Sequence, residues 1–485
     1  MIQIPYKKYF DIIAAIVIVV LGHAFATGQN DITKKIDAIL NTSSVAGKIQ
    51  LGLAVDNALT TKKVYGFNEN KNFMPASVLK LLYTLSAVDT KGDSYRFKTK
   101  FMYSGSILPD GSLQGDLIIV AGGDPTLASK RFFQNGINDF FKIITAKLNE
   151  KGIKCIDGDI ILVLSDYHYP VHGSWQYQDL GNYYAAGTYP LNFMDNEYSV
   201  KFALGKKAGD KTKISKISPD GLDFLNITNH VVTGKSGTGD NAYLYGIPYS
   251  VDIEAKGTLA SPKGFYTIKG SLPNPPAVFL RLLADFMERE NMYFEDLLIT
   301  QENIKGAKAL FTLSSPPLLD ISEMCNNYSI NMYSEALASL LCLTGNKPDL
   351  YLDEDEIKSF FQRYNIDFDK TQIVDGCGLS TENLISPSQI NDFLILMIKR
   401  MGLNKVLRII PQAGIEGYAK SLFDRRDNVY IKSGSISGVL NYSGIVKSPS
   451  GKYYTFSLMS NNVLEKDRKK VKALLIKIIK VLSKT

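Results

Sequence analysis

The sequence predicts an α/β (α+β) protein of more than one domain, interrupted by a large β-rich insertion. Three observations lead there. At 485 residues the chain is too long for one core, since domains take roughly 100–200 residues each. Helical apolar periods occupy both ends of the chain, whereas residues 95–266 break into short β-rich runs punctuated by Gly, Asn, Asp and Lys. A charged fraction of 21% with 27 Tyr and 24 Phe is that of a packed chain, which excludes a disordered or collagen-like one. The net charge of +7 is too weak on a surface this large for nucleic acid to be the main partner. It suits mild attraction to an acidic polymer or a membrane surface.

The elements follow in order. Lys7 and Lys8, the apolar run Ile12 to Leu21 and Ala24-Phe25-Ala26 have the three parts of a secretory signal, cleaved after Ala26. A membrane span needs about 20 apolar residues, so the run is short for an anchor. The mature protein is expected to be exported and periplasmic. Leu51, Leu53 and Val55 alternate with small or polar residues as in a half-buried strand, and Lys63 to Phe67 reads as a second strand. Val78 to Val88 is apolar nearly all round, which predicts a helix at the centre of a domain. Gly115 to Ala121 and Gly158 to Leu164 read as strands, and Val231 to Asp240 as a Gly-rich loop. From Pro275-Pro276 the helical period returns; helices fit Leu318 to Leu341 and Ser388 to Met401. Strands follow at Val429 to Ile431, Asn441 to Lys447 and Tyr453 to Ser460. A terminal helix then places Val471, Leu474, Leu475, Ile478 and Leu482 on one face. These readings make residues 27–90 and 275–485 one domain and 91–274 its insertion. The insertion divides further into 91–108 with 195–274, and 109–194.

Four Cys cannot form a disulfide framework, and Cys155, Cys325, Cys342 and Cys377 lack metal-type spacing, so they read as buried thiols. His168 and His172 stand four apart, but Pro170 between them breaks a helix and no third ligand has the spacing of a metal motif. No Gly-x-Ser-x-Gly elbow accompanies the histidines, and Gly234-Lys235-Ser236 lacks the leading Gly of a phosphate loop. Neither a metal nor a cofactor is expected.

A lysine-based serine site remains. Ser77-Val78-Leu79-Lys80 is the chain's one Ser-x-x-Lys. On a helix these positions share a face about 5–6 Å apart, within reach of Lys80 Nζ for Ser77 Oγ. Pro75 puts Ser77 near a helix N-terminus, where unpaired N–H groups favour an oxyanion. Apolar neighbours disfavour the ammonium form of Lys80, as a base near neutral pH requires. Taken alone, the motif fits a snorkelling lysine and a capping serine equally well. Two further motifs follow in order: Ser329-Ile330-Asn331 fits Ser-x-Asn, and Lys432-Ser433-Gly434 fits Lys-Thr/Ser-Gly. Together the three are the signature of penicillin-binding proteins and class A β-lactamases. Lys235-Ser236-Gly237 and Ser460-Asn461-Asn462 match the same patterns out of order and do not complete the triple.

On these motifs the chain resembles the class C low-molecular-mass penicillin-binding proteins, the D-alanyl-D-alanine carboxypeptidase/endopeptidase family. The likeness runs from about Ile49 to Asn462 and includes Gly122-Gly123-Asp124-Pro125-Thr126-Leu127, Ser315-Pro316-Pro317-Leu318, Asp375-Gly376-Cys377-Gly378-Leu379-Ser380 and Gly414-Ile415-Glu416-Gly417. The long interval between Lys80 and Ser329 is its most specific feature. The resemblance implies a penicillin-binding transpeptidase-like (β-lactamase-like) domain and peptidoglycan stem peptides ending in D-Ala-D-Ala as substrates, with β-lactams as mimics. It implies Ser77 as nucleophile, Lys80 as base, Ser329 as proton relay and Asn331 as an orienting group. It further implies positive charge from Lys432, carboxylate binding by Ser433, and an oxyanion hole from the N–H groups of Ser77 and Ser435, with Gly434 between the two serines in the substrate-binding strand. Ser433 for Thr, Ile330 for Asp and Cys377 for Ser depart from the family's usual residues, and none removes a catalytic atom.

Two other functions compete. A β-lactamase would need a deacylating Glu, and no clear motif supplies one between Ser329 and Lys432. A catalytically silent peptidoglycan-binding protein would not need Ser77, Lys80, Ser329, Asn331 and Lys432 intact. The C-terminal helix carries Lys466, Arg468, Lys469, Lys470, Lys472, Lys477, Lys480 and Lys484, which allows a peripheral membrane contact. Packing on the preceding strand is the preferred reading.

Overall fold

Strand Gln50–Asn57 is buried from Leu51 onward on both faces, where its alternation predicted one wet face. The reason is its place in a five-stranded sheet covered on two sides. The computed structural model describes residues 31–164, 170–261, 263–342, 354–415 and 417–485. The expected signal segment 1–26, His168 and Glu416 lie outside them. The described residues fall into two units. One takes those of Met1–Val78, Tyr364–Thr371 and Leu384–Thr485; the other takes Leu79–Arg363 and Gln372–Asn383.

In the first unit the sheet runs, edge to edge, Val429–Ile436, Val439–Lys447, Tyr453–Asn461, Gln50–Asn57, Lys63–Phe67, all neighbours antiparallel. One face is covered by helical residues 31–41 and by helix Arg468–Leu482. The latter buries Val471, Leu474, Leu475, Ile478, Ile479 and Leu482, so its apolar stripe belongs to the core. The other face meets helix Pro387–Met401. Its buried Asn391 donates to Asp56 Oδ2 at 2.7 Å and accepts from Ser457 Oγ at 2.8 Å. Strand Val429–Ile436 is an edge. Pro411 and Ala413 pair with only its first half, through Ile431 N–H to Pro411 O (2.8 Å) and Ala413 N–H to Val429 O (2.9 Å).

The second unit contains helix Lys80–Lys91, whose residues from Lys80 to Val88 are all buried, as a helix without a polar face requires. The helical stretch expected over Leu318 to Leu341 is broken. Helix Leu318–Tyr328 ends at Ser329 in the left-handed conformation (φ 53°, ψ 43°), and helix Asn331–Cys342 starts afresh. The same unit holds a mixed five-stranded sheet in the order Leu297–Thr300, Ile160–Val163, Leu117–Val120, Lys98–Tyr103, Lys308–Ser314, and three smaller sheets. The loop expected at Val231 to Asp240 is shorter than its composition suggested: strand Asn226–Thr233 takes Val231 to Thr233, and Asp240 opens the next strand. The four cysteines are thiols, three buried and Cys155 half-buried. No helix among the described residues is long and apolar enough to cross a membrane.

Candidate active site

Ser77 sits in the 3-10 turn Ala76–Leu79, which runs directly into helix Lys80–Lys91. Two buried asparagines fasten the residues just ahead of it to the sheet. Asn441 Nδ2 donates to Met74 O (2.8 Å) and Pro75 O (2.9 Å), while its Oδ1 accepts from Ser460 N–H at 2.8 Å. Asn461 Oδ1 accepts from Met74 N–H at 2.8 Å. Neither residue stood out as functional in the sequence, where Asn461 belonged to an out-of-order Ser-x-Asn match. Their signal is register: both lie on sheet strands facing the turn, which a linear motif does not record.

The Lys-Ser-Gly strand lies against the same turn. A Cβ on Gly434 would fall 2.5 Å from Pro75 O and 3.0 Å from Val78 N, so no side chain fits there. Lys432 is buried and its Nζ donates to Ser433 O at 2.8 Å. Because Val429 O and Ile431 N–H face outward, the strand's alternation also turns the backbone groups of Ser433 and Ser435 toward the open edge. That is the orientation an oxyanion donor at Ser435 requires.

In the second unit Lys80 is wholly buried, and its Nζ donates to Cys377 O at 2.7 Å. The loop carrying that carbonyl is held by two buried carboxylates. Glu335 accepts from Gly376 N–H with both oxygens at 3.0 Å. Asp375 accepts four N–H groups: Gly378 (2.7 Å) and Asn383 Nδ2 (2.9 Å) on Oδ1, Ser380 (2.7 Å) and Trp175 Nε1 (3.0 Å) on Oδ2. Ser334 Oγ donates to Gly376 O at 2.6 Å. Glu335 carried no sequence signal, being one acid in an apolar helix. It falls four residues after Asn331 and so shares a face with it.

Burial first, then the Glu335 and Asp375 charges, push the Cys377 thiol well above its usual range, so it stays protonated. Glu335, Asp375 and Cys377 place one donor atom each within 4.8 Å, a spacing that suits a metal, yet both carboxylates already accept backbone N–H groups. Ser329 caps its helix with its N–H on Cys325 O, and Asn326 Nδ2 of that helix donates to Thr84 Oγ1 of the Lys80 helix at 2.9 Å. Asn331 Nδ2 donates to Tyr184 O. Burial also lifts Asp124, of the Gly-Gly-Asp-Pro-Thr-Leu stretch, to about 6 against two hydrogen bonds from Thr126.

A serine on a turn leading into a helix that buries a lysine one turn on, with a Lys-Ser-Gly edge strand packed on that turn, defines a penicillin-binding, active-serine enzyme. The chain belongs to the D-Ala-D-Ala carboxypeptidase 3 (S13) family, whose profile matches residues 32–481. It is a serine-type D-Ala-D-Ala carboxypeptidase of that family. D-alanyl-D-alanine carboxypeptidase DacB of Haemophilus influenzae is 22% identical over 86% of this chain and 88% of its own length. The crystal structure of penicillin binding protein 4 (dacB) from Haemophilus influenzae covers 92% of this chain and 97% of its own, with 22% identity and a TM-score of 0.77. A further structure of it holds a β-lactam. A predatory peptidoglycan endopeptidase from Bdellovibrio bacteriovorus aligns over 89% of this chain and 91% of its own, with 15% identity and a TM-score of 0.51.

Proposed function

We propose that this chain hydrolyses the D-Ala–D-Ala bond of peptidoglycan stem peptides through an acyl-enzyme on Ser77. The observation that carries this reading is the fully buried Lys80, one turn past Ser77, whose Nζ donates to the Cys377 carbonyl. Lys80 takes the Ser77 Oγ proton as the oxygen attacks the penultimate D-Ala carbonyl. The resulting oxyanion accepts from the N–H groups of Ser77 and Ser435; losing one such donor typically costs about 10²–10³ in turnover. Collapse expels the terminal D-Ala as its amine receives the proton from Lys80 through the Ser329 hydroxyl. Asn331 orients the substrate amide, and Lys432 and Ser433 face the substrate carboxylate. Water then cleaves the Ser77 ester and regenerates the hydroxyl. A β-lactam carbonyl enters by the same attack, and its tethered leaving group slows the release.

A peptidoglycan substrate supports an exported, periplasmic mature enzyme, with cleavage after Ala26. Any peripheral membrane contact of the terminal helix runs through its lysine face, because its apolar face is buried on the sheet. Cleavage of cross-linked dimers differs from carboxypeptidase action only in the leaving group, and the endopeptidase likeness keeps it as the second reading. Labelled penicillin should mark the wild type and fail to mark Ser77→Ala, with D-Ala release from a pentapeptide lost in parallel. A wild type that is neither labelled nor active would leave the silent peptidoglycan binder.

A further inference from the structure

Ser329 stands at the break between helices Leu318–Tyr328 and Asn331–Cys342, in a left-handed conformation that a residue with a side chain adopts at a cost. Backbone bonds from Ser329 and Ile330 to Cys325 O close the first helix. They do not fix the angle at which the second departs. A strained residue persists where its surroundings over-determine it.

Two tyrosines flank the break, and a single pair of charged residues grips both. Tyr328, just before Ser329, lies under the Arg131 guanidinium, whose carbon is 4.7 Å from the ring centroid. Tyr333, in the first turn of the second helix, is fully buried and donates to Asp195 Oδ1 at 2.8 Å, with Ser129 Oγ 3.2 Å from the same phenol oxygen. Asp195 Oδ2 in turn lies 3.5 Å from Arg131 Nε. That nitrogen is buried and makes no hydrogen bond among the described residues, so the Asp195 charge is what compensates it. The four side chains form a bridge across Ser329.

The carboxylate at the centre of the bridge sits on an unusual backbone. Met194, Asp195 and Asn196 take φ of 57°, 56° and 53°, three residues with side chains in succession at positive φ. Asn196 locks them: its Oδ1 accepts from Phe193 N–H and its Nδ2 donates to Gly187 O, both at 2.8 Å. An ordinary turn would relieve the strain and aim the Asp195 carboxylate elsewhere.

We propose that Asp195 is a positioning residue for the Ser329 hydroxyl. Acting on Tyr333 directly and on Tyr328 through Arg131, it fixes the break that presents this hydroxyl to the departing group. The inference rests on the acyl-enzyme reading above and deepens it, giving the long interval between Lys80 and Ser329 a part in proton delivery. Asn331 has its own tether on Tyr184 O, so the bridge acts on the relay.

Two substrates with one acyl group and different leaving groups test this. A peptide ending in D-Ala-D-Ala breaks a C–N bond, and the amine must take the Lys80 proton through Ser329 to leave. The thioester analogue, with sulfur in place of the last D-Ala nitrogen, breaks a C–S bond. Its thiolate leaves with the electron pair while Lys80 keeps the proton. kcat/KM is measured for both, because it ends at departure of the leaving group and excludes hydrolysis of the Ser77 ester. Ser329→Ala sets the scale: the amide should fall about 10²–10⁴-fold, the usual worth of a general acid, and the thioester less than about fivefold. Asp195→Ala should lower the amide rate about 10²-fold, the scale of a misplacement near 1 Å, again with less than about fivefold on the thioester. Asp195→Asn keeps an acceptor for Tyr333 and tolerates left-handed backbone, so it should return to within about fivefold of wild type on the amide. Tyr333→Phe removes one oxygen without touching the strained turn. It should reproduce the amide-selective loss at about tenfold, and it carries the test if Asp195→Ala does not fold. Equal losses on both substrates would make the bridge a brace of the fold and overturn the proposal, as would unchanged amide rates. If Ser329→Ala fails to separate the substrates, the relay reading fails and this inference with it. If Ser329→Ala separates them and the bridge variants do not, this inference alone fails.

Discussion

The two units hold their motif residues by opposite means. In the first, neutral amides hold the residues ahead of Ser77, through Asn441 and Asn461, and a missing side chain at Gly434 lets the edge strand approach. In the second, the carbonyl that receives Lys80 sits on a loop held by the buried carboxylates of Glu335 and Asp375. A neutral hydrogen bond contributes little net stability. A buried charge has already lost its hydration, so cutting its partners leaves a large uncompensated term. The mooring of the Ser77 turn should therefore tolerate damage better than that of Lys80.

Glu335→Ala is the sharpest way to break that contrast. It strips the acceptor from a buried Gly376 N–H and leaves a void, which should cost about 3 kcal/mol in denaturant unfolding. Displacing the Cys377 carbonyl from Lys80 should also slow penicillin acylation by about 10²-fold, the usual scale for a misplacement near 1 Å. Glu335→Gln keeps an acceptor and should recover most of both. Wild-type acylation in the alanine variant would mean that the carboxylate clamp does not position Lys80. Asn441→Ala should do less. It removes three neutral hydrogen bonds, worth about 1–3 kcal/mol together, with Asn461 still in place. Because an amide does not titrate, its stability loss should be flat from pH 5 to pH 9 by thermal melting. A pH-dependent loss would assign charge to a mooring described here as neutral.

The same contrast explains what could be read from the sequence. The helix of Val78 to Val88, the strand Lys63–Phe67 and the three strands before the terminal helix were legible because their apolar periods are local. Ser-x-x-Lys was legible because both residues sit one helical turn apart. The break at Ser329 was not, since a left-handed serine has no compositional mark and the apolar pattern runs through it. Glu335, Asn441 and Asn461 escaped notice because each acts on backbone groups distant in sequence, and backbone partners leave no residue type to search for. The half-buried reading of Gln50–Asn57 failed for a related reason: alternation reports one covered face and is silent about a second.

Cys377→Ser should have the smallest effect and separates backbone from side chain in the lysine's mooring. Lys80 Nζ bonds the Cys377 carbonyl, which any residue supplies, while Sγ lies 4.0 Å from Asp375 Oδ2. Burial and the neighbouring carboxylates keep the thiol protonated, so no thiolate is available to act as nucleophile or base. A serine hydroxyl is the stronger donor to a carboxylate and nearly fills the same volume, so stability should move by less than about 1 kcal/mol. Acylation by labelled penicillin should stay within about threefold, which is under 1 kcal/mol of barrier. Cys377→Val keeps the volume without a donor and should be the less stable of the two. If Cys377→Ser abolished labelling, the side chain rather than the loop's backbone would be what Lys80 depends on, and the carboxylate clamp would lose its purpose.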